Sequence, residues 1–235
     1  MTISLIGLDA DDTLWHNETI FRATQSRFVE LLAGYCDAAR VEPELEAVER
    51  RNLDLYGYGA KGFTLSMLET ALGLSDHKLR GEAVAEILAM GRDMMRHPVE
   101  PLPGVEEAIE ALARLGRVVL ITKGDLFHQE AKLAASGLGA FFAGVEIVSE
   151  KSPETYRRIF RRYDVSENEA LMAGNSVRSD ILPPLDIGGY AALIPYPLVW
   201  AHESADVPHG HPRFRELDSL ADLPTWIETI NSVGA

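Results

Sequence analysis

The apolar run Ile3-Ser4-Leu5-Ile6-Gly7-Leu8 stops abruptly at Asp9-Ala10-Asp11-Asp12-Thr13. A short, almost wholly apolar run bounded by polar residues predicts a strand buried on both faces, the kind that lies inside a parallel sheet. Carboxylates crowded at the end of such a strand repel one another and resist burial unless a cation offsets them. The hard cation whose natural ligands are carboxylate and carbonyl oxygens is the first expectation, and a magnesium-dependent site follows from it. In extended geometry Asp9, Asp11 and Thr13 share one parity, so their side chains are expected on one side; Asp12 has the other parity and reads as structural.

Residues 17–95 carry a different pattern. Apolar positions recur at helical spacing through 20–32, 45–55, 63–72 and 83–95, with no strand among them. After His97-Pro98-Val99-Glu100-Pro101-Leu102-Pro103-Gly104 the texture becomes short apolar strands at 118–122, 145–149, 170–174 and 191–195, separated by amphipathic helices. Alternation of that kind predicts a mostly parallel sheet with right-handed crossovers. The simplest assembly joins residues 3–8 to this later sheet. The expected fold is therefore α/β, a Rossmann-like doubly wound parallel sheet formed by 1–15 and 98–235, with 16–97 inserted as an all-helical cap domain.

Ligands of such sheets bind beyond the carboxyl ends of the strands. Each strand end here carries polar chemistry. The first delivers Asp9 and Asp11, and the second Thr122-Lys123-Gly124-Asp125. The third leads to Glu150-Lys151-Ser152-Pro153-Glu154, and the fourth to Gly174-Asn175-Ser176-Val177-Arg178-Ser179-Asp180. Ser152, Pro153 and Glu154 read as N-cap, first helical residue and first-turn acid, which puts Lys151 at a helix mouth.

Bulk properties exclude several classes of function. The formal net charge of −14 speaks against a nucleic-acid partner, since phosphate backbones need a basic face and the cations here are scattered. If the substrate is anionic, the basic residues at strand ends, Lys123, Lys151 and Arg178, must receive it. No apolar stretch approaches the roughly 20 residues of a membrane span. The first strand follows Met1-Thr2 at once, leaving no room for a signal peptide, so a cytoplasmic protein is expected. The single cysteine, Cys36, lies in an apolar helical pattern and reads as packing. His202-Glu203 and His209-Gly210-His211 sit in a polar loop after the last strand and lack the further ligands of a tetrahedral metal site. Trp15 and Trp200 read as core or pocket wall.

The ordered set of Asp9-x-Asp11-x-Thr13, a strand-terminal Thr122, Lys151 before a helix, and the acidic motif running from Gly174 to Asp180 resembles the haloacid dehalogenase superfamily, in its phosphatase branch. The match runs from residue 3 to about 197, and the helical insertion is similar to that superfamily's helical cap type. The resemblance implies hydrolysis of a phosphomonoester. Asp9 is then the nucleophile that takes the phosphoryl group, and Asp11 the general acid and base whose main-chain carbonyl is also a metal ligand. An aspartate, ionised at neutral pH, needs no activating base for this work. Thr122 and the amides of Lys123 and Gly124 cradle the phosphate. Lys123 points either to the substrate or to solvent. Lys151 neutralises the gathering charge.

One position departs from the family pattern. Where an aspartate is usual, this chain has Asn175, which still offers a carbonyl oxygen but removes a negative charge. Asp180 then belongs to the metal shell, or anchors a helix beginning near Ser179. The implied metal set is Asp9, Asp11, Asn175 and Asp180, and the implied cofactor is Mg2+. Selectivity for a small phosphorylated metabolite falls to the cap, where Tyr56-Gly57-Tyr58-Gly59-Ala60-Lys61-Gly62-Phe63 makes Tyr58 and Lys61 the candidates. The residues leave the oligomeric state open. Three rivals stand beside this reading. A 2-haloacid dehalogenase uses the aspartate on carbon and has no use for Asp11. A receiver-like module needs its phosphorylated aspartate at a central strand end and leaves the helical insertion unexplained. A weakened phospho-ligand binder is motivated by Asn175.

Overall fold

The computed structural model describes residues 2–233. The chain divides into two compact units. One comprises Met1–His16, Val99–Lys123 and Gln129–Ala235; the other comprises Asn17–Pro98 together with the short segment Gly124–His128.

Among the described residues the first unit is built on six strands: β1 (Leu5–Leu8), β2 (Arg117–Lys123), β3 (Gly144–Val148), β4 (Ala170–Gly174), β5 (Tyr190–Leu193) and β6 (Phe214–Glu216). All pairings are parallel and the spatial order is β3-β2-β1-β4-β5-β6. β1 is central. It pairs Leu5 to Leu8 with Arg117 to Leu120 on one side and with Ala170 to Ala173 on the other. The order reverses next to β1, so the crevice beyond the carboxyl ends of β1, β2 and β4 is where this topology places a ligand.

Alternate residues of β1, β2 and β4 enter opposite cores, as a period of two requires. Ile6, Leu8, Val118, Leu120, Leu171 and Ala173 share one cluster with Val105, Ala108, Ile109 and Leu112 of α5 (Val105–Ala113) and with Leu223, Trp226 and Ile227 of α9 (Leu223–Val233). Leu5, Val119, Ile121, Ala170 and Met172 join the other with Tyr156, Ile159 and Phe160 of α7 (Pro153–Arg162). A sheet covered on both faces leaves only its strand ends for chemistry. Two further helices complete the unit's crossovers: α6 (Leu126–Ser136), which follows β2, and the short α8 (Leu182–Asp186), entered through a π-type turn at Val177–Ile181.

The second unit is helical: α1 (Glu18–Leu32), α2 (Val41–Tyr56), α3 (Ala60–Leu74) and α4 (Gly81–Arg96). It has its own core, in which Phe28, Leu32, Leu45, Phe63, Met67, Ile87, Met90 and Met94 are buried and Cys36 is partly buried against them. Each helix matches an apolar stretch expected from spacing, extended by its polar ends. Among the described residues no helix is long and apolar enough to cross a membrane.

β6 was not expected. It has three residues, two of them the exposed charges Arg215 and Glu216, too short and too polar for periodicity to register. The expected extended path from Asp9 to Thr13 also differs. The strand ends at Leu8, and Asp12 takes φ +62°, turning the chain so that its amide donates to Trp15 O at 2.8 Å.

Gly7 in central β1 makes room for its neighbours: a Cβ there would lie 2.8 Å from Ile121 Cδ1 and 2.9 Å from Met172 Sδ. Gly7→Val overpacks this face, and a stability loss of about 1–3 kcal/mol is expected by denaturant titration.

Candidate active site

Lys151 lies between β3 and α7, and its place is set by the start of that helix. Ser152 is the N-cap, its hydroxyl accepting from Thr155 N at 3.2 Å, and Pro153 occupies the first turn. Tyr156 donates to Ser179 O at 3.0 Å and ties α7 to the loop after β4. Lys151 is 3% exposed, and its ammonium donates to Asp9 Oδ1 and, at 2.7 Å, to Asp180 Oδ1. Asp9 begins the loop after β1, its amide bonded to Ala173 O of β4 at 2.9 Å. The second oxygen of Asp180 accepts from Ser176 N at 3.0 Å, so both Asp180 oxygens have protein donors. The turn at 177–181 is capped by Ser176, which accepts from Ser179 N at 3.0 Å, and begins earlier than the helix expected near Ser179. Gly174 is required here because a Cβ would stand 2.2 Å from Asp180 Oδ2.

Asp11 is held by three donors. Trp15 Nε1 reaches Oδ1 at 2.7 Å, Lys132 Nζ bonds the same oxygen, and Gln129 Nε2 reaches Oδ2 at 3.3 Å. Gln129 also donates to Thr122 Oγ1 at 2.8 Å, and thereby links the ends of β1 and β2. Asn175 follows β4, its Oδ1 within 3.5 Å of the Thr13 hydroxyl. Asp9, Asp11, Thr13, Thr122, Lys151, Asn175 and Asp180 thus stand at or just beyond the ends of neighbouring strands, in three hydrogen-bonded groups: Asp9 with Lys151 and Asp180, Asp11 with Thr122 through Gln129, and Thr13 with Asn175.

A family model described as haloacid dehalogenase-like hydrolase matches residues 3–188. The chain belongs to the haloacid dehalogenase-like hydrolase family. It is an enzyme of the hydrolase class. It is similar to a haloacid dehalogenase-like family hydrolase from Xanthomonas campestris, at 42% identity and a TM-score of 0.89 over 99% of this chain and 93% of that one. A 2-haloacid dehalogenase from Pseudomonas syringae pv. Tomato shares 20% identity with a TM-score of 0.66, over 97% of this chain and 100% of that one. A HAD phosphatase from Thermococcus onnurineus shares 18% identity with a TM-score of 0.62, over 95% and 97%. At those identities the likeness is one of fold. None of the curated proteins compared matches the chain.

In this haloacid dehalogenase-like hydrolase, several side chains have company that the sequence did not disclose. The Lys123 ammonium bonds Glu203 Oε1 at 2.6 Å and Ser179 Oγ at 2.9 Å, with Glu150 at 3.5 Å. Lys123 therefore faces neither open solvent nor an empty cradle. Glu203, in the short turn Ala201–Glu203, also accepts from Ser176 Oγ and, at 2.5 Å, from Ser179 Oγ. Arg178 donates to His202 O at 3.1 Å and so supports the same loop. Gly124 takes φ +133°, a conformation that favours glycine. In the helical unit, Lys61 donates to both oxygens of Asp125 at 2.9 Å and lies 5.9 Å from the Phe127 ring centroid, while Tyr58 is half-buried.

Electrostatics follow from these contacts. Burial pushes the Asp9 carboxyl up from its usual range, and the Lys151 ammonium opposes that rise. Lys151 is thus the partner that favours the charged form of buried Asp9. Burial also pushes Glu203 up, but Lys123 and the hydroxyls of Ser176 and Ser179 more than reverse it and hold the carboxyl at about 2. Among the described residues no group of three or more His, Cys, Asp or Glu side chains could hold a metal ion, the His202 to His211 loop included.

Gln129, Lys132 and Glu203 were missed by sequence reasoning. Gln129 and Lys132 sit three apart on one face of α6, a spacing visible in the sequence that by itself does not say which way the face points. Glu203 was hidden beside its histidine neighbour. A carboxyl held at about 2 against an ordinary 4.5 stabilises the fold above about pH 4.5, and that contribution fades as pH falls toward 2. Glu203→Gln is accordingly expected to lower stability at pH 7 by on the order of 2 kcal/mol, with the gap to wild type closing near pH 2, as read by denaturant unfolding at both pH values.

Proposed function

We propose that this hydrolase is a Mg2+-dependent phosphatase that hydrolyses a small phosphomonoester through an aspartyl-phosphate on Asp9. The observation that carries the reading is the pair of motif carboxylates in different settings: Asp9 bonded to buried Lys151, and Asp11 held two residues on by Trp15, Gln129 and Lys132. A displacement at carbon has no use for the second acid.

A hard cation suits the oxygens at hand. They are the Asp9 carboxylate, the Asp11 main-chain carbonyl and the Asn175 side-chain carbonyl, the last lying on the Thr13 side of its loop. Mg2+ is commonly held by one or two carboxylates, with waters and substrate phosphate completing its shell, so a single aspartate with neutral oxygens fits it. When bound, the ion supplies charge stabilisation to the phosphoryl oxygens. Asp180, both of whose oxygens have protein donors, is assigned to holding Lys151 rather than to direct ligation.

In the first step an oxygen of Asp9 attacks phosphorus, the ester P–O bond breaks, and Asp11 gives its proton to the departing alkoxide. In the second, Asp11 takes a proton from water as that water attacks phosphorus; the bond to Asp9 breaks and inorganic phosphate leaves. Lys151 offsets negative charge in both steps, and Thr122 donates to a phosphoryl oxygen. Residues 1–15 and 98–235 are assigned this chemistry, and 16–97 the role of a cap that selects the substrate. For Lys61 to serve there, it must exchange Asp125 for a substrate anion.

Asp9→Asn is expected to abolish hydrolysis in a panel of phosphate esters assayed with magnesium while leaving the circular dichroism spectrum unchanged. Turnover near the wild-type rate would overturn the mechanism, and so would halide release from chloroacetate without magnesium by the wild-type protein. Asn175→Asp restores a carboxylate beside the cation, and magnesium affinity measured by calorimetry is expected to rise about tenfold or more.

A further inference from the structure

Gln129 is 3% exposed on α6, where a leucine or methionine would fill the same space without the cost of burying an amide. Its Nε2 has two hydrogens and faces three acceptors: Thr122 Oγ1 at 2.8 Å, Lys123 O at 3.1 Å and Asp11 Oδ2 at 3.3 Å. The Lys123 carbonyl can only accept, so the nitrogen, not the oxygen, of the amide must point there. The shortest of the three contacts is to Thr122. With a Gln129 hydrogen on its oxygen, the Thr122 hydroxyl keeps its own proton to give away. The protein acceptor it reaches, Lys123 O, is 3.3 Å off, well beyond the usual O–H···O distance, and already receives Gln129.

We propose that Gln129 is a positioning residue that sets the Thr122 hydroxyl as a hydrogen-bond donor toward the phosphoryl group, a role that rests on the phosphatase reading above. The same amide, through Asp11 Oδ2, holds the acid of the β1 loop in register with the threonine of β2. A hydroxyl is both donor and acceptor and needs a neighbour to settle which it is. An anion with acceptors only is bound by the donor form alone, and the buried amide enforces that form before the substrate arrives.

The test is a double-mutant cycle of Gln129→Leu and Thr122→Val, with Gln129→Glu as the near-isosteric control. Hydrolysis of p-nitrophenyl phosphate with magnesium, affinity for inorganic phosphate by calorimetry, and melting temperature are measured for each protein. Gln129→Leu is expected to weaken kcat/KM and phosphate affinity about tenfold each, the scale of one hydrogen bond. Gln129→Glu is expected to weaken both further, because a carboxylate in place of the nitrogen draws the Thr122 proton to itself. In the Thr122→Val background, Gln129→Leu should change phosphate affinity less than about twofold, since the group through which it acts on the anion is gone, whereas kcat/KM still senses the contact with Asp11. Gln129→Leu and Gln129→Glu both matching wild type, or losses of phosphate affinity that multiply in the double mutant, overturn the assignment. If Gln129→Leu does not fold, Gln129→Glu in the Thr122→Val background supplies the same cycle. A wild-type protein that neither turns over the ester nor binds phosphate overturns the phosphatase reading and this inference with it. Wild-type turnover with multiplying losses of phosphate affinity overturns the Gln129 assignment alone.

Discussion

One buried ammonium holds this site together. Lys151 stands between Asp9 and Asp180, and with the three nearly inaccessible a single ammonium serves two buried carboxyl groups. Two carboxylates this deeply placed are costly without a partner, and a partner that serves both ties the loop after β1 to the loop after β4. The constraint reaches outward. Asp180 approaches so closely that residue 174 has no space for a side chain, and Ser176 N and Tyr156 OH are drawn in to satisfy the oxygens of the same turn. The geometry of three loops therefore follows from where a single cation sits.

Around that centre the charges come in local pairs: Lys132 with Asp11, Lys123 with Glu203, Lys151 with its two aspartates. A chain of net charge −14 thus brings together three lysines, Lys123 and Lys151 from strand ends and Lys132 from α6, and attaches each to an acid. An anionic ligand does not meet bare positive charge here. It meets cations already held by carboxylates. On the proposed reading, the missing negative charge at Asn175 has a physical sense: in a site this rich in carboxylates, a neutral oxygen lowers the repulsion that an incoming phosphate dianion must overcome.

The sheet was legible because its strands are nearly pure apolar runs that end at polar residues; β1 and β4 are buried throughout, and burial on both faces leaves that trace. The helices announced themselves by spacing for the same reason. β6 did not, since an edge strand of three residues has little apolar face to repeat. At the site, residues at strand ends could be picked out because a strand end is marked in sequence. Gln129, Lys132 and Glu203 could not be, because each reaches the site from a helix or loop whose direction only the packed fold decides. The turn at Asp12 shows the other limit: parity arguments hold while the chain is extended, and here it stops being extended at Leu8.

The central position of β1 bears on how the fold is reached. Its two neighbours begin at Arg117 and Ala170, so each pairing that β1 makes joins segments far apart in sequence. The helical unit that lies between β1 and β2 in the chain has a core of its own, built from contacts much nearer in sequence. Loop closure must be met before distant pairings are rewarded, so sheet formation around β1 is expected to be the slow step and the helical core the quicker one.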